Sequence, residues 1–238
     1  MIDFSGLFNE FFATASSLVE LGGPVVAILL GLSVIALALI ILKFVQFFYS
    51  GVGSRKNART AMHLWTHGKS EEALSLLGND KSAVAAVMLT AMRLGADRRI
   101  SKSVIEEEVG RIALSRLYDL QRGFRALDAI AQIAPLLGLF GTVLGMIEAF
   151  QTLQSAGNAV DPSILAGGIW VALLTTAAGL AVAMPVSLIL TWFESRVENE
   201  RVAIETMATQ LMAEQQIRVA SLEDESIVKF AGRASHAV

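Results

Sequence analysis

The strongest pattern along the chain is three long apolar stretches set among amphipathic segments. Residues 21–42 are 22 consecutive positions without a charge, residues 131–153 carry one charge, Glu148, and residues 168–193 carry none. At about 1.5 Å per helical residue the first stretch reaches roughly 33 Å, enough for a hydrocarbon core of about 30 Å. The pattern predicts transmembrane helices over 21–43, 131–153 and 168–193. Between the second and third lies only the polar segment 154–167, with Asn158, Asp161 and Pro162. That is the length and chemistry of a helical-hairpin turn, which makes these two spans antiparallel neighbours.

The remaining segments carry helical periodicity. Phe4, Leu7, Phe8, Phe11, Phe12, Ala15 and Leu18 predict a short helix within residues 1–20 lying on the membrane–water boundary. Short helices are expected at 55–68, 70–77 and 83–94. Residues 101–128 hold no proline, and Ser103 with Glu106 three positions on reads as a capping box opening a helix that runs straight into the second span. Val104, Val109, Ile112, Leu117, Leu120, Phe124 and Leu127 give it an apolar face that another helix or a partner must cover. After the third span Val197, Ile204 and Leu211 recur every seven residues, a helical extension packing in a seam. From Ser221 onward the chain is expected to fray. The fold class is all-α: a polytopic membrane protein with three transmembrane helices, the second and third extended beyond the membrane, and a helical loop over 44–130.

Composition agrees, with 54% hydrophobic and 17% charged residues and a mean hydropathy of +0.57, too oily for an ordinary soluble domain of this length. The net charge of −3 conceals an asymmetry. Residues 1–20 and 154–167 contain no Lys or Arg, residues 50–130 contain thirteen and residues 194–238 five. The cation bias puts the loop 44–130 and the C-terminal part 194–238 in the cytoplasm, and the N-terminus and the hairpin turn outside. The cation-free start argues against a cleaved leader, so the first span is expected to be retained. With no cysteine, disulfides and thiolate chemistry are excluded.

Candidate chemistry concentrates in the spans, where polar groups are costly and must face protein or water. On span two, Thr142, Gly145, Ala149 and Thr152 share a face; on span three, Ala172, Thr176, Gly179, Ala183 and Ser187 do. Two readings compete: close helix packing, which small residues permit, with Gly141 and Gly145 as a GxxxG pair, or the wall of a narrow hydrated path. Glu148, roughly one turn from the outer end of its span, either reaches for the headgroups or handles an ion. His63 and His67 are four apart but lack a third ligand, so no metal site is expected. Glu106, Glu107 and Glu108 fit the positive end of a helix dipole. No phosphate loop, nucleophile elbow or metalloprotease helix is present, and neither an enzyme, a cofactor nor nucleic-acid binding is expected.

The run Ala134-Pro135-Leu136-Leu137-Gly138-Leu139-Phe140-Gly141-Thr142-Val143-Leu144-Gly145-Met146-Ile147 resembles the second span of the ExbB, TolQ and MotA-type proton channels, ExbB and TolQ above all. Gly168-Ile169-Trp170-Val171-Ala172-Leu173-Leu174-Thr175-Thr176-Ala177-Ala178-Gly179, followed by Pro185, resembles the third. The resemblance implies a bacterial inner-membrane homopentamer around a dimer of an ExbD- or TolR-like single-span protein whose aspartate takes up and releases protons. Spans two and three would line the pore, with Thr142 and Thr176 at the positions of the family's pore-facing threonines. Coupled to a TonB-like protein, such a ring would drive outer-membrane uptake. The family usually carries a glutamate at the start of the third span, where this chain has Val171; either that function has moved to Glu148 or it is dispensed with. The rival readings are a TolQ-like envelope, gliding or flagellar stator, and a helical scaffold that conducts nothing.

Overall fold

The computed structural model describes the backbone of residues 4–97, 99–155 and 162–235, and the side chains of residues 22–97, 99–155, 163 and 165–214. Among these residues the chain is all-helical: α1 Phe4–Tyr49, α2 Lys56–Thr66, α3 Ser70–Gly78, α4 Ala83–Ala96, α5 Lys102–Gln121, α6 Phe124–Ser155 and α7 Pro162–Ser235. Three stretches, within Gly22–Tyr49, Lys102–Ser155 and Leu165–Glu214, are long and apolar enough to cross a membrane.

The fold divides into two units. The first comprises residues 1–43 and 123–193. Here α1 is interrupted at Gly23, whose φ of 66° and ψ of −159° are open to glycine but strained for other residues. Pro24 then restarts the helix from a position where its missing N–H costs nothing. The unit's core gathers Val25 and Leu29 of α1, Ala134 of α6 and Ala183 of α7. Outward, Leu37, Leu42, Leu136, Leu139, Leu173 and Leu188 stay exposed, as suits helices with an apolar surround. At one end Lys43 is buried and holds its ammonium 5.2 Å above the Phe124 ring, a cation–π contact beside the Phe124–Phe193 stack.

The second unit comprises residues 44–122 and 194–238. The three short helices fall within two residues of their expected bounds at each end. Ser82 caps α4, its Oγ accepting from the Ala85 N–H at 3.2 Å, a contact worth about 1 kcal/mol. α5 packs on α4, which supplies the cover its apolar face requires. In α7, Val197, Ile204 and Leu211 are all buried.

Four expectations are corrected. α5 begins at Lys102 with Ser101 as its N-cap, so Ser103 lies inside the helix and makes no capping box. α5 does not run into α6: Gly123, at φ 94°, ends one and precedes the other, because a left-handed residue cannot continue a right-handed helix. Val104 is 51% exposed and its neighbour Ile105 takes the buried position. Glu106, Glu107 and Glu108 fall beyond the first turn of α5, which holds no acidic residue, so they do not sit at the positive end of its dipole. Residues 156–161 of the hairpin turn, and the side chains of the N-terminal segment, lie outside the described residues.

Candidate functional site: the seam between α6 and α7 and its cavity

The small residues singled out in the spans meet each other. A Cβ placed on Gly145 would lie 3.0 Å from the Ala172 Cβ, one on Gly141 2.6 Å from Thr175 Oγ1, and one on Gly179 2.5 Å from the Ala134 carbonyl oxygen. Ala149 meets Gly168 in the same way. Without side chains in the way, the two backbones approach closely enough for dispersion and interhelical hydrogen bonds to hold them where no hydrophobic effect operates. Gly145, Ala149, Ala172, Gly179 and Ala183 therefore lie where α6 and α7 touch, or beside that contact, and Ala149, Ala172 and Ala183 are buried. Ser187 is exposed.

The hydroxyl at the centre of this seam is Thr175, which is 3% exposed. Its Oγ1 sits 2.7 Å from the Ala172 carbonyl in its own helix and 3.1 Å from the Gly138 carbonyl across the seam. Thr176 Oγ1 donates to the same Gly138 carbonyl at 3.2 Å. Sequence reasoning chose Thr176 by motif position and passed over Thr175. The signal was available: Thr175 falls three residues after Ala172 and four before Gly179, on the stripe that the small residues define.

The three candidate ion-handling residues do not converge. Thr142 is half-buried and returns its hydroxyl to the Leu139 carbonyl at 2.6 Å, beside an open depression of about 620 Å³ with Met146 and Phe150. Glu148 is exposed and lines a separate cavity of about 480 Å³ with Gly23, Gly145, Thr152, Val171 and Thr175. Six helical positions separate Thr142 from Glu148, a rotation of about 600°, which places them on different faces. Thus the carboxylate and Val171 share one cavity, together with the break in α1.

The charge that sequence reading missed lies outside the spans. Glu200 is 1% exposed; its Oε2 accepts from the Gly53 N–H at 3.0 Å, while Oε1 has no partner. Burial pushes its carboxyl above the usual carboxylate range, opposed by the Gly53 N–H and the nearby Arg55 charge and reinforced by Asp80. Glu200 falls three residues after Val197 and four before Ile204, the spacing of an inward position. His63 and His67 stack at 4.1 Å, and among the described residues no group of three metal-ligating side chains occurs.

A family model described as the MotA/TolQ/ExbB proton channel family matches residues 79–206. A homologue of the biopolymer transport protein ExbB from Methanothermobacter thermautotrophicus is 33% identical over 133 residues, 56% of this chain and 46% of that protein. The biopolymer transport protein exbB1 of Vibrio cholerae is 41% identical over 90 residues, 38% of this chain and 40% of that protein. An ExbB-like protein of Synechocystis is 31% identical over 178 residues, 73% of this chain and 82% of that protein. The chain thus spans less than half the length of the first two.

Proposed function

Because the chain belongs to the MotA/TolQ/ExbB proton channel family, we propose that it is the channel subunit of an ExbB–ExbD-type inner-membrane motor that turns proton flow into mechanical work for TonB-dependent transport across the outer membrane. Five copies surround a dimer of a single-span ExbD- or TolR-like protein, with the N-terminus periplasmic and the C-terminus cytoplasmic. The partner's membrane aspartate carries the proton, and α6 and α7 supply the surrounding wall, Thr142 and Thr176 included. A TonB-like protein takes the output.

The observation that carries the reading for this chain's own residues is the cavity shared by Glu148, Val171 and Thr175. A carboxylate at membrane depth requires water or a partner, and Glu148 opens to a cavity that Thr152 and Thr175 also line, beside Val171, the position at which the family resemblance implies a glutamate. In this reading Glu148 is the acid that orders water and accepts protons on the outer side. One charge moving down the membrane potential releases about 2.3 kcal/mol per 100 mV, so several protons per step supply enough work for a conformational change in the partner.

The test is proton flux, read with a pH dye in liposomes holding this protein and its single-span partner. Wild type is compared with Glu148→Gln and with Thr142→Ala/Thr176→Ala. Loss of flux in assembled complexes supports the ion path. Unchanged flux reduces these residues to packing groups and favours a non-conducting scaffold, consistent with how tightly the small residues of the seam pack.

A further inference from the structure

In the second unit, the start of α2 and the adjoining turn of α7 enclose a depression of about 680 Å³ whose lining includes Arg55, Lys56, Arg59 and Arg196, with Thr60 and Asn199, and no acidic residue. Four cations crowded around one hollow repel one another, and the arrangement is relieved by an anion seated among them. Nothing within the described residues plays that part for two of them: Lys56 and Arg59 form no side-chain hydrogen bond or ion pair. Glu200, close enough to feel the Arg55 charge, is buried and turned to the Gly53 N–H, and Asp80 is turned to Asn57 and to the Ser82 N–H. Arg55 is held in place by donating from Nη2 to the Asn199 carbonyl at 2.7 Å, so part of the site is fixed before any ligand arrives.

We propose that this pocket binds a phosphate group. Arginine guanidinium groups match phosphate oxygens two by two, and lysine adds a mobile point charge. The Asn199 side-chain amide lines the same hollow, gives one N–H to the Ser195 carbonyl at 2.8 Å and keeps a second that can donate to a phosphate oxygen, while the Thr60 hydroxyl beside it donates to the Lys56 carbonyl at 3.0 Å. Along the chain Arg196 follows the charge-free run 168–193 by three residues, about 5 Å of helix rise. A phosphodiester at the membrane surface and a soluble phosphate both satisfy this chemistry, and the experiment separates them.

Affinity is measured on the full-length protein in detergent for short-chain phosphatidylglycerol, short-chain phosphatidylcholine and inorganic phosphate. The pocket variant Lys56→Gln/Arg59→Gln removes the two side chains that hold nothing else, and Lys81→Gln/Arg93→Gln is the charge-matched control. At roughly fivefold per cation, the pocket variant is expected to weaken phosphatidylglycerol binding on the order of 25-fold while the control stays at wild type. Preference for phosphatidylglycerol assigns the pocket to an anionic lipid headgroup; equal or tighter binding of inorganic phosphate, lost in the same variant, assigns it to a soluble phosphate. If the pocket and control variants bind every probe as wild type does, or lose binding equally, the site does not exist.

Discussion

The backbone N–H of Gly53 donates a 3.0 Å hydrogen bond to Oε2 of Glu200, 147 positions away in sequence. Gly53 is held at φ 88°, which the absence of a Cβ makes accessible, and this points its N–H at a carboxylate that is otherwise out of water. The bond ties the turn after α1 to α7.

The pH dependence follows from the direction of the Glu200 shift. Its carboxyl is raised above the ordinary value of 4.5, chiefly by burial, so the folded state binds the proton more tightly than the unfolded chain does. Its contribution to stability is therefore greatest at low pH, declines as pH rises from about 4.5 through the raised value, and is flat above it. Glu200→Gln, which keeps an acceptor oxygen, is expected to remove this decline when unfolding temperature is followed against pH. Glu200→Ala strands the Gly53 donor and is expected to cost about 1–3 kcal/mol. Identical pH profiles for wild type and Glu200→Gln would show that the group does not titrate in the fold.

Replacing Gly179 by alanine puts a Cβ 2.5 Å from the Ala134 carbonyl oxygen and 3.1 Å from the Gly138 Cα, backbone atoms that cannot move aside locally. Gly179→Ala is expected to destabilise the protein in detergent by about 1–3 kcal/mol. Gly31, with nothing within 4 Å of its Cβ position, tolerates alanine or gains up to about 1 kcal/mol of helix propensity. Equal thermal unfolding of the two variants would contradict the close approach of α6 and α7.

Thr175→Val keeps the shape of the side chain and removes the hydroxyl that reaches the Ala172 and Gly138 carbonyls. Both carbonyls also serve their own helices, so the expected loss is modest, about 0.5–1.5 kcal/mol. Thr142→Ala, whose hydroxyl turns back to Leu139 within its own helix, is expected to change stability by less. A larger loss for Thr142→Ala would reverse the assignment of which threonine holds the seam.

If the acidic function at the outer end of the spans has moved to Glu148, it can be moved back. Val171 and Glu148 line the same cavity, so the double variant Glu148→Gln/Val171→Glu is expected to recover proton flux that Glu148→Gln alone loses. Flux that stays lost in the assembled double variant would mean that the helix face, and not only the cavity, is essential.

The apolar runs identified three stretches able to span a membrane, and the short amphipathic segments identified α2, α3 and α4, because burial of a helix face imposes a local period that a single strand of text records. The breaks were harder. Gly123 lies in a segment without proline and with continuous apolar periodicity, so its left-handed conformation left no mark beyond the glycine itself. The choice of Ser101 over Ser103 as a cap turned on which residue adopts an extended backbone, which both sequences of neighbours permit.

Residue identity and order along the chain were enough for the two runs that resemble the family's second and third spans, for the small-residue stripes and for the bias of cations toward residues 50–130 and 194–238. Tertiary structure decided what those stripes touch. Helical spacing fixes which side chains share a face, but not whether that face meets another helix, a cavity or lipid. Only the packing of α6 against α7 made Gly145, Ala172 and Gly179 contact residues, made Thr175 the buried hydroxyl, and set Glu148 and Val171 around one cavity while Thr142 faced another. The Gly53–Glu200 bond belongs to the same class, since an interaction across 147 positions is specified by the whole fold and by no local pattern.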